Sequence, residues 1–273
     1  LIWYKYPLYT INDSMYTIYK SITDKFIHAV KIRLDSDRPV CITLSGGLDS
    51  SLVAGVVKLL GYNDIHTFTT GLPNSIDSEY AQIVASHINS THKVFTFTEE
   101  EGLSLIDDVI LILETWDITT IRASIPQLFI AQQIAQNTDF KVILNGDGAD
   151  EVMMGYKENY FAPNAAVAQD NCIKRVKEIH QYDGLRMDRC ISSQGLEARP
   201  SFLDVDFVNY FLSIDPKLKI PIKGNRIEKD LIRQAFSILY PDMLPDKILH
   251  RSKEAFSDGV SDATLNKSWF EII

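Results

Sequence analysis

Between residues 40 and 145, short apolar runs alternate with stretches of helical periodicity, and this alternation limits the fold more than any other feature. The predicted strands are residues 40–44, 65–70, 93–97 and 140–145. The predicted helices are residues 50–60, 77–88 and 98–116, the last opened by a Thr98–Glu101 capping box, with a further helix beginning at Ser124. This β-α-β-α-β-α-α-β order predicts an α/β fold built on a parallel sheet with helices on both faces.

Two glycine-rich turns follow strands of the predicted sheet. The first is SGGLDSS, residues 45–51, and the second is NGDGADEVMMGY, residues 145–156. Parallel sheets bind ligands beyond the carboxyl ends of their strands, so both turns are expected at one edge. We therefore predict that the two turns contribute to one site.

The first turn has the composition of an anion site. Gly46 and Gly47 let a ligand approach backbone N–H groups. Ser50 and Ser51 add hydroxyls where the next helix begins. The turn is not a Walker loop, since GxxxxGK[ST] is absent. Asp49 beside a phosphate indicates a cation between them, which we interpret as magnesium. A tight turn with serine caps is the simpler alternative.

The second turn brings Asp147, Asp150 and Glu151 to the same predicted edge. One of these carboxylates could share the magnesium with Asp49, because this ion takes few protein carboxylates alongside substrate phosphates. A solvated acidic loop is the simpler interpretation, and the placement of both turns at one edge argues against it.

Beyond Glu151 helical periodicity dominates, interrupted by proline-bearing loops. We divide the chain into a linker and leading helix at residues 1–38, a sheet half at about 39–150 and a mostly helical half at about 151–273. The aromatic opening LIWYKYPLYT lacks an initiator Met and is typical of the interior of a longer chain.

Charge and cysteine content argue against several classes of protein. The net charge of −9 argues against a broad nucleic-acid surface, and no apolar run is long enough for a membrane span or signal peptide. Cys41 lies inside an apolar strand and is expected to be a core residue. Three cysteines without CxxC spacing indicate a reducing, cytoplasmic compartment. The six histidines lack metal-binding spacing, so zinc is not expected.

Five ordered motifs resemble those of one family. LSGGLDSS, residues 44–51, resembles the pyrophosphate-binding loop of the N-type ATP pyrophosphatases, which share the adenine nucleotide alpha hydrolase-like fold. The other four are WDITTIRAS (116–124), NGDGADEVMMGY (145–156), GLEARPSFLD (195–204) and RSKEAFSDGV (251–260). From about Pro39 to Val260 the chain resembles the synthetase domain of glutamine-dependent asparagine synthetases.

The resemblance implies that ATP and aspartate form β-aspartyl-AMP and pyrophosphate, and that ammonia then gives asparagine and AMP. It places pyrophosphate at Ser45, Gly46, Gly47, Ser50 and Ser51, and adenine and ribose at Leu44, Thr70, Asn145 and Gly146. It places magnesium on Asp49 and Asp150, and the phosphate and aspartate pocket at Thr119, Thr120 and Arg122. The implied catalytic residues are Asp147 as proton acceptor, Lys253 against the departing pyrophosphate, Arg122, and Glu197, for which an ion pair with Arg199 is an equal alternative.

The sequence departs from the family at three points. Asp147 replaces the usual glutamate, RPSFLD moves a proline by one residue, and the amino-terminal glutaminase domain with its cysteine nucleophile is absent. The expected partners are aspartate, ammonia and a glutaminase on a missing segment or a separate chain, with a homodimer left open. Two alternatives also stay open: an adenylating relative that uses another acid, and a catalytically weak ATP-binding regulatory domain.

Overall fold

A five-stranded, all-parallel sheet with the strand order β3-β2-β1-β4-β5 organises the molecule. The computed structural model describes residues 13–251, 259–264 and 268–273. The strands are β1 Val40–Thr43, β2 His66–Gly71, β3 Thr91–Thr96, β4 Val142–Asn145 and β5 Glu197–Pro200. The predicted parallel sheet is confirmed.

Helices cover both faces of this sheet. In the first part of the chain they are α1 Met15–Arg33, α2 Leu48–Leu59, α3 Ile76–Ile88, α4 Glu99–Ser104, α5 Ile106–Leu113 and α6 Ile118–Asn137. Those that follow β4 are α7 Ala149–Val152, α8 Ala165–Glu178, α9 Asp183–Ser192, α10 Val205–Ser213, α11 Pro216–Lys219, α12 Asp230–Leu239, α13 Asp246–Leu249 and, next in the described residues, α14 Trp269–Ile272. Short 3₁₀ turns lie at Lys157–Phe161, Ile179–Gln181 and Ser201–Leu203.

Two apolar layers sandwich the sheet. Ile42 and Leu144 point into a cluster with α1, α2, α3, α10 and α12, whereas Cys41 and Ile143 point into a cluster with α6 and α9. Successive side chains of a strand face opposite sides, so these clusters cover the two faces. Cys41 is buried, as predicted for a core residue. No helix in the described ranges combines the length and apolar character needed to cross a membrane.

The start of α6 corrects a predicted boundary. The helix begins at Ile118 rather than Ser124, because the Asp117 carboxylate caps it and accepts the Thr120 N–H at 2.8 Å. Pro126 therefore lies inside the helix, where a proline removes one backbone donor. The carbonyl of Arg122, four residues earlier, instead accepts a hydrogen bond from Trp269 Nε1 at 3.1 Å.

Two other sequence predictions differ from the structure. The predicted helix 98–116 is two helices, α4 and α5, although the Thr98–Glu101 capping box is confirmed. The half predicted as mostly helical also contributes β5, which pairs in parallel with β4. The residues of β5, Glu-Ala-Arg-Pro, contain no apolar run, and a proline at its end suits an edge strand.

Candidate active site

The two glycine-rich turns meet at the carboxyl edge of the sheet. They follow β1 and β4, which are neighbouring strands. A Cβ on Gly146 would lie only 2.7 Å from the backbone nitrogen of Ser50 and 2.9 Å from Cβ of Asp49, so this position accepts only a glycine. The second turn therefore packs directly against the first turn of α2.

The first turn holds its serines in a fixed arrangement around the start of α2. The backbone N–H of Ser45 donates to Ser50 Oγ at 3.1 Å, and the two hydroxyls lie 3.1 Å apart. Gly47 is the N-cap residue, and no side chain caps the helix through a hydrogen bond. The N–H groups of the first turn of α2 are therefore directed at the space beside the serines, which suits an anion.

Gly46 adopts a conformation that other residues rarely take. Its φ is +70°, and a Cβ there would overlap backbone atoms of Tyr80 and Ala81 within α3. The close approach of α3 to the turn thus depends on the missing side chain.

We expect Gly46→Ala to lower the free energy of unfolding by more than Gly61→Ala. Gly61 has φ +90°, and no atom of the described residues lies within 4 Å of a Cβ built there, so its substitution measures the backbone strain alone, about 1–3 kcal/mol. Urea unfolding of both variants isolates the additional cost of moving α3 away from the turn. Equal losses in the two variants would show that the turn yields without displacing α3.

A buried ammonium lies between the two carboxylates predicted to bind metal. Lys229 Nζ donates to Asp49 Oδ2 at 2.5 Å and lies 2.6 Å from Asp150 Oδ1, and the lysine side chain is only 3% exposed. A Cβ on Gly155 would overlap the Asp150 carboxylate and Lys229 Cε, so this glycine makes room for the ion pairs. Burial alone would lower the pKa of Lys229, but Asp150 and Asp49 outweigh it and raise the pKa, which keeps the ammonium charged.

The donor set is of the kind that magnesium uses. Asp49 and Asp150 converge on the Lys229 ammonium, so the two carboxylates are close enough to take part in one cation site. Magnesium takes one or two protein carboxylates and completes its shell with water and substrate phosphates. Within the described residues, no group of three or more His, Cys, Asp or Glu side chains converges as a metal site of the protein alone. These two carboxylates therefore fit magnesium that enters with a phosphate-bearing substrate, with Lys229 as the neighbouring fixed cation.

Asp147 lies at the same edge, held by an arginine. Arg186, a buried residue of α9, donates to Asp147 Oδ1 at 3.0 Å, to Asp183 Oδ1 at 2.7 Å and to Gln127 Oε1 at 2.8 Å. Burial raises the pKa of Asp147 above its ordinary value of 3.8, while the charge of Arg186 acts in the opposite direction. The negative charge of Asp49 contributes to the rise, which links Asp147 electrostatically to the first turn.

Two further carboxyl groups, those of Glu151 and Asp183, lie close to the Arg186–Asp147 pair. Tyr156 donates a short hydrogen bond to Glu151, and its hydroxyl lies 3.2 Å from Asp183 Oδ2. Burial, then the charges of Asp183 and Asp150, raise the pKa of Glu151 to about 8. The Glu151 carboxyl therefore keeps its proton to a higher pH than an ordinary glutamate does.

Buried polar groups without partners mark the space between the turns. Asn145, the last residue of β4, is 2% exposed, and its side-chain oxygen and nitrogen have no hydrogen-bond partner in the described part of the chain. The Ser51 hydroxyl is likewise buried and without a partner there. Buried polar groups normally find partners, so these three atoms indicate a ligand or ordered water at the site.

Two other residues predicted to contact adenine and ribose lie beside this space. Thr70 is near the end of β2, where its hydroxyl donates to Phe95 O at 2.8 Å. The N–H of Leu44 donates to Phe68 O at 2.8 Å, which continues the sheet to the start of the first turn. The turn thus begins from a fully paired strand end.

The residues predicted for the aspartate pocket lie on the first turns of α6. This helix leads into β4, so its amino-terminal end is at the carboxyl edge of the sheet. Thr119 is exposed there, and the Thr120 hydroxyl donates to Asp117 Oδ1 at 2.6 Å. Arg122 lies one turn further along, and Gln127, on the same helix, connects through Arg186 to Asp147.

The structure places Glu197 at the edge of the sheet opposite the two glycine-rich turns. Glu197 begins β5 opposite Val142, the first residue of β4, and therefore lies at the amino-terminal edge of the sheet. Its side chain is 60% exposed and accepts from Arg199 Nε at 2.8 Å, which is the alternative ion pair. Lys253 lies outside the described residues.

The chain matches the family model described as asparagine synthase over residues 21–174 and 162–273. It is 44% identical over 262 residues to asparagine synthetase [glutamine-hydrolyzing] of Gallus gallus, covering 94% of this chain and 46% of that protein. The Mus musculus protein of the same name is 41% identical over 281 residues, covering 98% of this chain and 49% of that protein. The chain thus spans about half the length of the curated relatives that it matches.

The match to solved structures is weaker. A U34-tRNA thiolase from Methanococcus maripaludis is 13% identical with a TM-score of 0.40, covering 82% of this chain and 76% of that chain. A likeness this low carries no argument about function.

Proposed function

The chain belongs to the asparagine synthase family, and we propose that it converts aspartate to asparagine with ATP and ammonia. In the first step an oxygen of the aspartate β-carboxylate attacks the α-phosphorus of ATP, and pyrophosphate leaves with the electrons of the broken P–O bond. In the second step the ammonia lone pair attacks the activated carbonyl carbon, and AMP leaves as the C–O bond breaks. Adenylation is needed because a free carboxylate has no adequate leaving group.

One observation supports this proposal above the others. The buried Asn145 side chain, which has no hydrogen-bond partner among the described residues, lies next to the first glycine-rich turn (residues 45–51) and the Asp49–Asp150 pair. An uncharged polar contact therefore adjoins an anion site and a cation-binding pair. Adenosine and a triphosphate together require these three kinds of contact. In this proposal adenosine contacts Leu44, Thr70, Asn145 and Gly146, and the serine turn holds the leaving pyrophosphate.

The chain's own residues stabilise the charge that develops during the first step. Pyrophosphate accepts hydrogen bonds from the backbone N–H groups at the start of α2 and from the serine hydroxyls. Lys229 neutralises the neighbouring carboxylates of Asp49 and Asp150. Magnesium held by Asp49 and Asp150 would supply Lewis-acid neutralisation of the phosphate charge. Lys253 is proposed as a second cation for the pyrophosphate, and Thr119, Thr120 and Arg122 as contacts for phosphate and aspartate.

Asp147 is the proposed proton acceptor of the second step. As nitrogen bonds to the carbonyl carbon it becomes acidic, and Asp147 removes a proton. Arg186 holds the carboxylate through Oδ1, and the bonds of Arg186 to Gln127 and Asp183 keep the guanidinium in place. Arg186 is therefore a positioning residue for Asp147.

Aspartate-dependent exchange of labelled pyrophosphate into ATP is the direct test. Exchange with aspartate and magnesium supports adenylation of aspartate by this chain. Exchange with a different acid instead would assign the chain to an adenylating relative with another substrate. ATP binding without exchange for any acid would leave the regulatory ATP-binding alternative.

We expect the 273-residue chain to make asparagine from ammonia and to release no glutamate from glutamine. Glutamine hydrolysis by amidotransferases needs a thiolate, and the three cysteines are buried. Burial raises the pKa of Cys172 to about 11, that of Cys190 to about 11 and that of Cys41 further. A glutaminase on an adjoining segment or separate chain is the proposed ammonia source.

The measurement compares ammonium chloride with glutamine at several pH values. Ammonium has no lone pair, so the ammonia-dependent rate should rise with pH across the neutral range. Glutamate release by the purified chain would contradict the prediction.

A further inference from the structure

We propose that Tyr160, acting through Glu228, is the positioning residue that holds Lys229 between Asp49 and Asp150. This inference rests on the proposed function only for its expected effect on MgATP binding, since the contacts themselves involve no substrate. Tyr160 belongs to the 3₁₀ turn Lys157–Phe161, close in sequence to the second glycine-rich turn. Glu228 and Lys229 immediately precede α12, far along the chain.

Lys229 adopts a backbone conformation that needs support from its surroundings. Its φ is +58° and ψ +21°, in the left-handed region, and it is the N-cap residue of α12 without a side-chain capping bond. This conformation costs a residue with a Cβ about 1–2 kcal/mol. The turn that directs the lysine side chain inward is therefore strained, and its neighbours must maintain it.

The neighbouring residue Glu228 is fixed from two sides. The Tyr160 hydroxyl donates to Glu228 Oε2 at 2.9 Å and accepts from the Glu228 N–H at 3.1 Å. Arg233 donates from Nε to the Glu228 carbonyl at 2.9 Å and from a terminal nitrogen to Oε1 at 3.1 Å. Arg233 also donates to the Leu249 carbonyl at 2.5 Å, which ties the arrangement to α13. Glu228, Lys229 and Arg233 are all buried.

Tyr160 is the member of this network that acts on position without altering charge. Its hydroxyl forms hydrogen bonds with both the side chain and the backbone N–H of Glu228, the residue immediately before Lys229. Removal of the hydroxyl leaves the Arg233–Glu228 ion pair in place but frees the backbone N–H. The strained turn should then relax, and Lys229 Nζ should lose its fixed distance to the two carboxylates.

The test is Tyr160→Phe, with Tyr62→Phe as the matched control. Tyr62 follows α2 and is 46% exposed, so its substitution removes a hydroxyl away from this network. We expect Tyr160→Phe to weaken MgATP binding about tenfold by calorimetry and Tyr62→Phe to leave it unchanged. Pyrophosphate exchange should show the same loss in the apparent affinity for MgATP.

A measurement without nucleotide separates this inference from the proposed function. In protein labelled with ¹³C at the lysine ε-carbon, the Lys229 resonance is assigned by its disappearance in Lys229→Met. Tyr160→Phe should shift this resonance toward that of exposed lysines, and Tyr62→Phe should not. If Lys229→Met does not fold, Lys229→Arg supplies the assignment.

A double-variant cycle shows whether Tyr160 acts through Lys229. In the Lys229→Met background, or Lys229→Arg if needed, Tyr160→Phe should weaken MgATP binding by less than in the wild type. An unchanged Lys229 resonance with unchanged MgATP affinity would overturn the inference and leave Tyr160 a purely structural residue. A shifted resonance in a chain that shows no pyrophosphate exchange would support the inference and contradict the proposed function.

Discussion

We expect Asp49→Asn to lower aspartate-dependent pyrophosphate exchange by about a hundredfold or more. The substitution removes one of the two carboxylates that converge beside the first glycine-rich turn, residues 45–51. With one of its two proposed protein ligands gone, magnesium would no longer be held in a fixed position to neutralise the phosphate charge. The fold should survive, because Lys229 retains its ion pair with Asp150. Thermal unfolding and exchange are measured on the same preparation, and a titration with magnesium should show a higher metal requirement.

Asp107→Asn is the matched control for this prediction. Asp107 is the second residue of α5, as Asp49 is the second residue of α2, so both substitutions remove a carboxylate from a helix amino terminus. Asp107 is exposed and lies away from the two glycine-rich turns in the sequence. Exchange at the wild-type rate in Asp49→Asn, or an equal loss in Asp107→Asn, would remove Asp49 from the proposed metal pair.

The sequence predicted the two turns well because each is a continuous segment. Strand residues, glycines, serines and carboxylates lie within a few positions of one another, and parallel strand order carries both turns to the same edge. Their mutual contact through Gly146 follows from β1 and β4 being neighbours. Local pattern and topology together were sufficient for this part of the site.

Lys229 and Arg186 could not be found in this way. Lys229 is 180 residues from Asp49, and its backbone takes a conformation that local propensity disfavours for lysine. Arg186 lies within an α9 sequence that resembles any charged, amphipathic helix. Only the tertiary fold, in which Arg186 contacts Asp147 and Lys229 contacts Asp150, shows that these cations face the second turn.

The helix boundary at α6 has a related cause. Ser124 and Pro126 resemble the start of a helix, and the proline can lie inside the helix because a distant indole, that of Trp269, bonds to the Arg122 carbonyl. For Glu197, motif membership suggested the site although the strand register places it at the far edge. Tertiary contacts determine both the start of α6 and the position of Glu197, and the contacting partners, Trp269 and β4, are distant in the sequence.

We expect Asp147→Asn to abolish nearly all asparagine formation while leaving MgATP binding largely intact. The amide cannot accept the proton that ammonia must lose, whereas the phosphate-binding turn and the Asp49–Asp150 pair are unchanged. Arg186 keeps its bonds to Asp183 and Gln127, so the variant should fold. Asparagine formation with ammonia and calorimetric MgATP binding are the two measurements.

Asp147→Glu tests how the length of the side chain that carries the proton-accepting carboxylate affects the rate. The family usually has glutamate here, and a displacement of about 1 Å at a reacting group can cost on the order of a hundredfold in rate. The longer side chain should preserve or raise the rate if the carboxylate still meets Arg186. A large loss of asparagine formation in this variant would indicate that the buried site accommodates only the shorter aspartate side chain.

The pH dependence distinguishes a proton acceptor from a residue that only supports the turn. Burial raises the pKa of Asp147, so its ionised, accepting form is lost at a higher pH than for an ordinary aspartate. When the rate is plotted per concentration of free ammonia, the wild type should still rise with pH in the acidic range, and Asp147→Asn should be flat. Wild-type turnover in Asp147→Asn would discard the catalytic role. Loss of MgATP binding would instead place Asp147 with Asp150 in support of the metal.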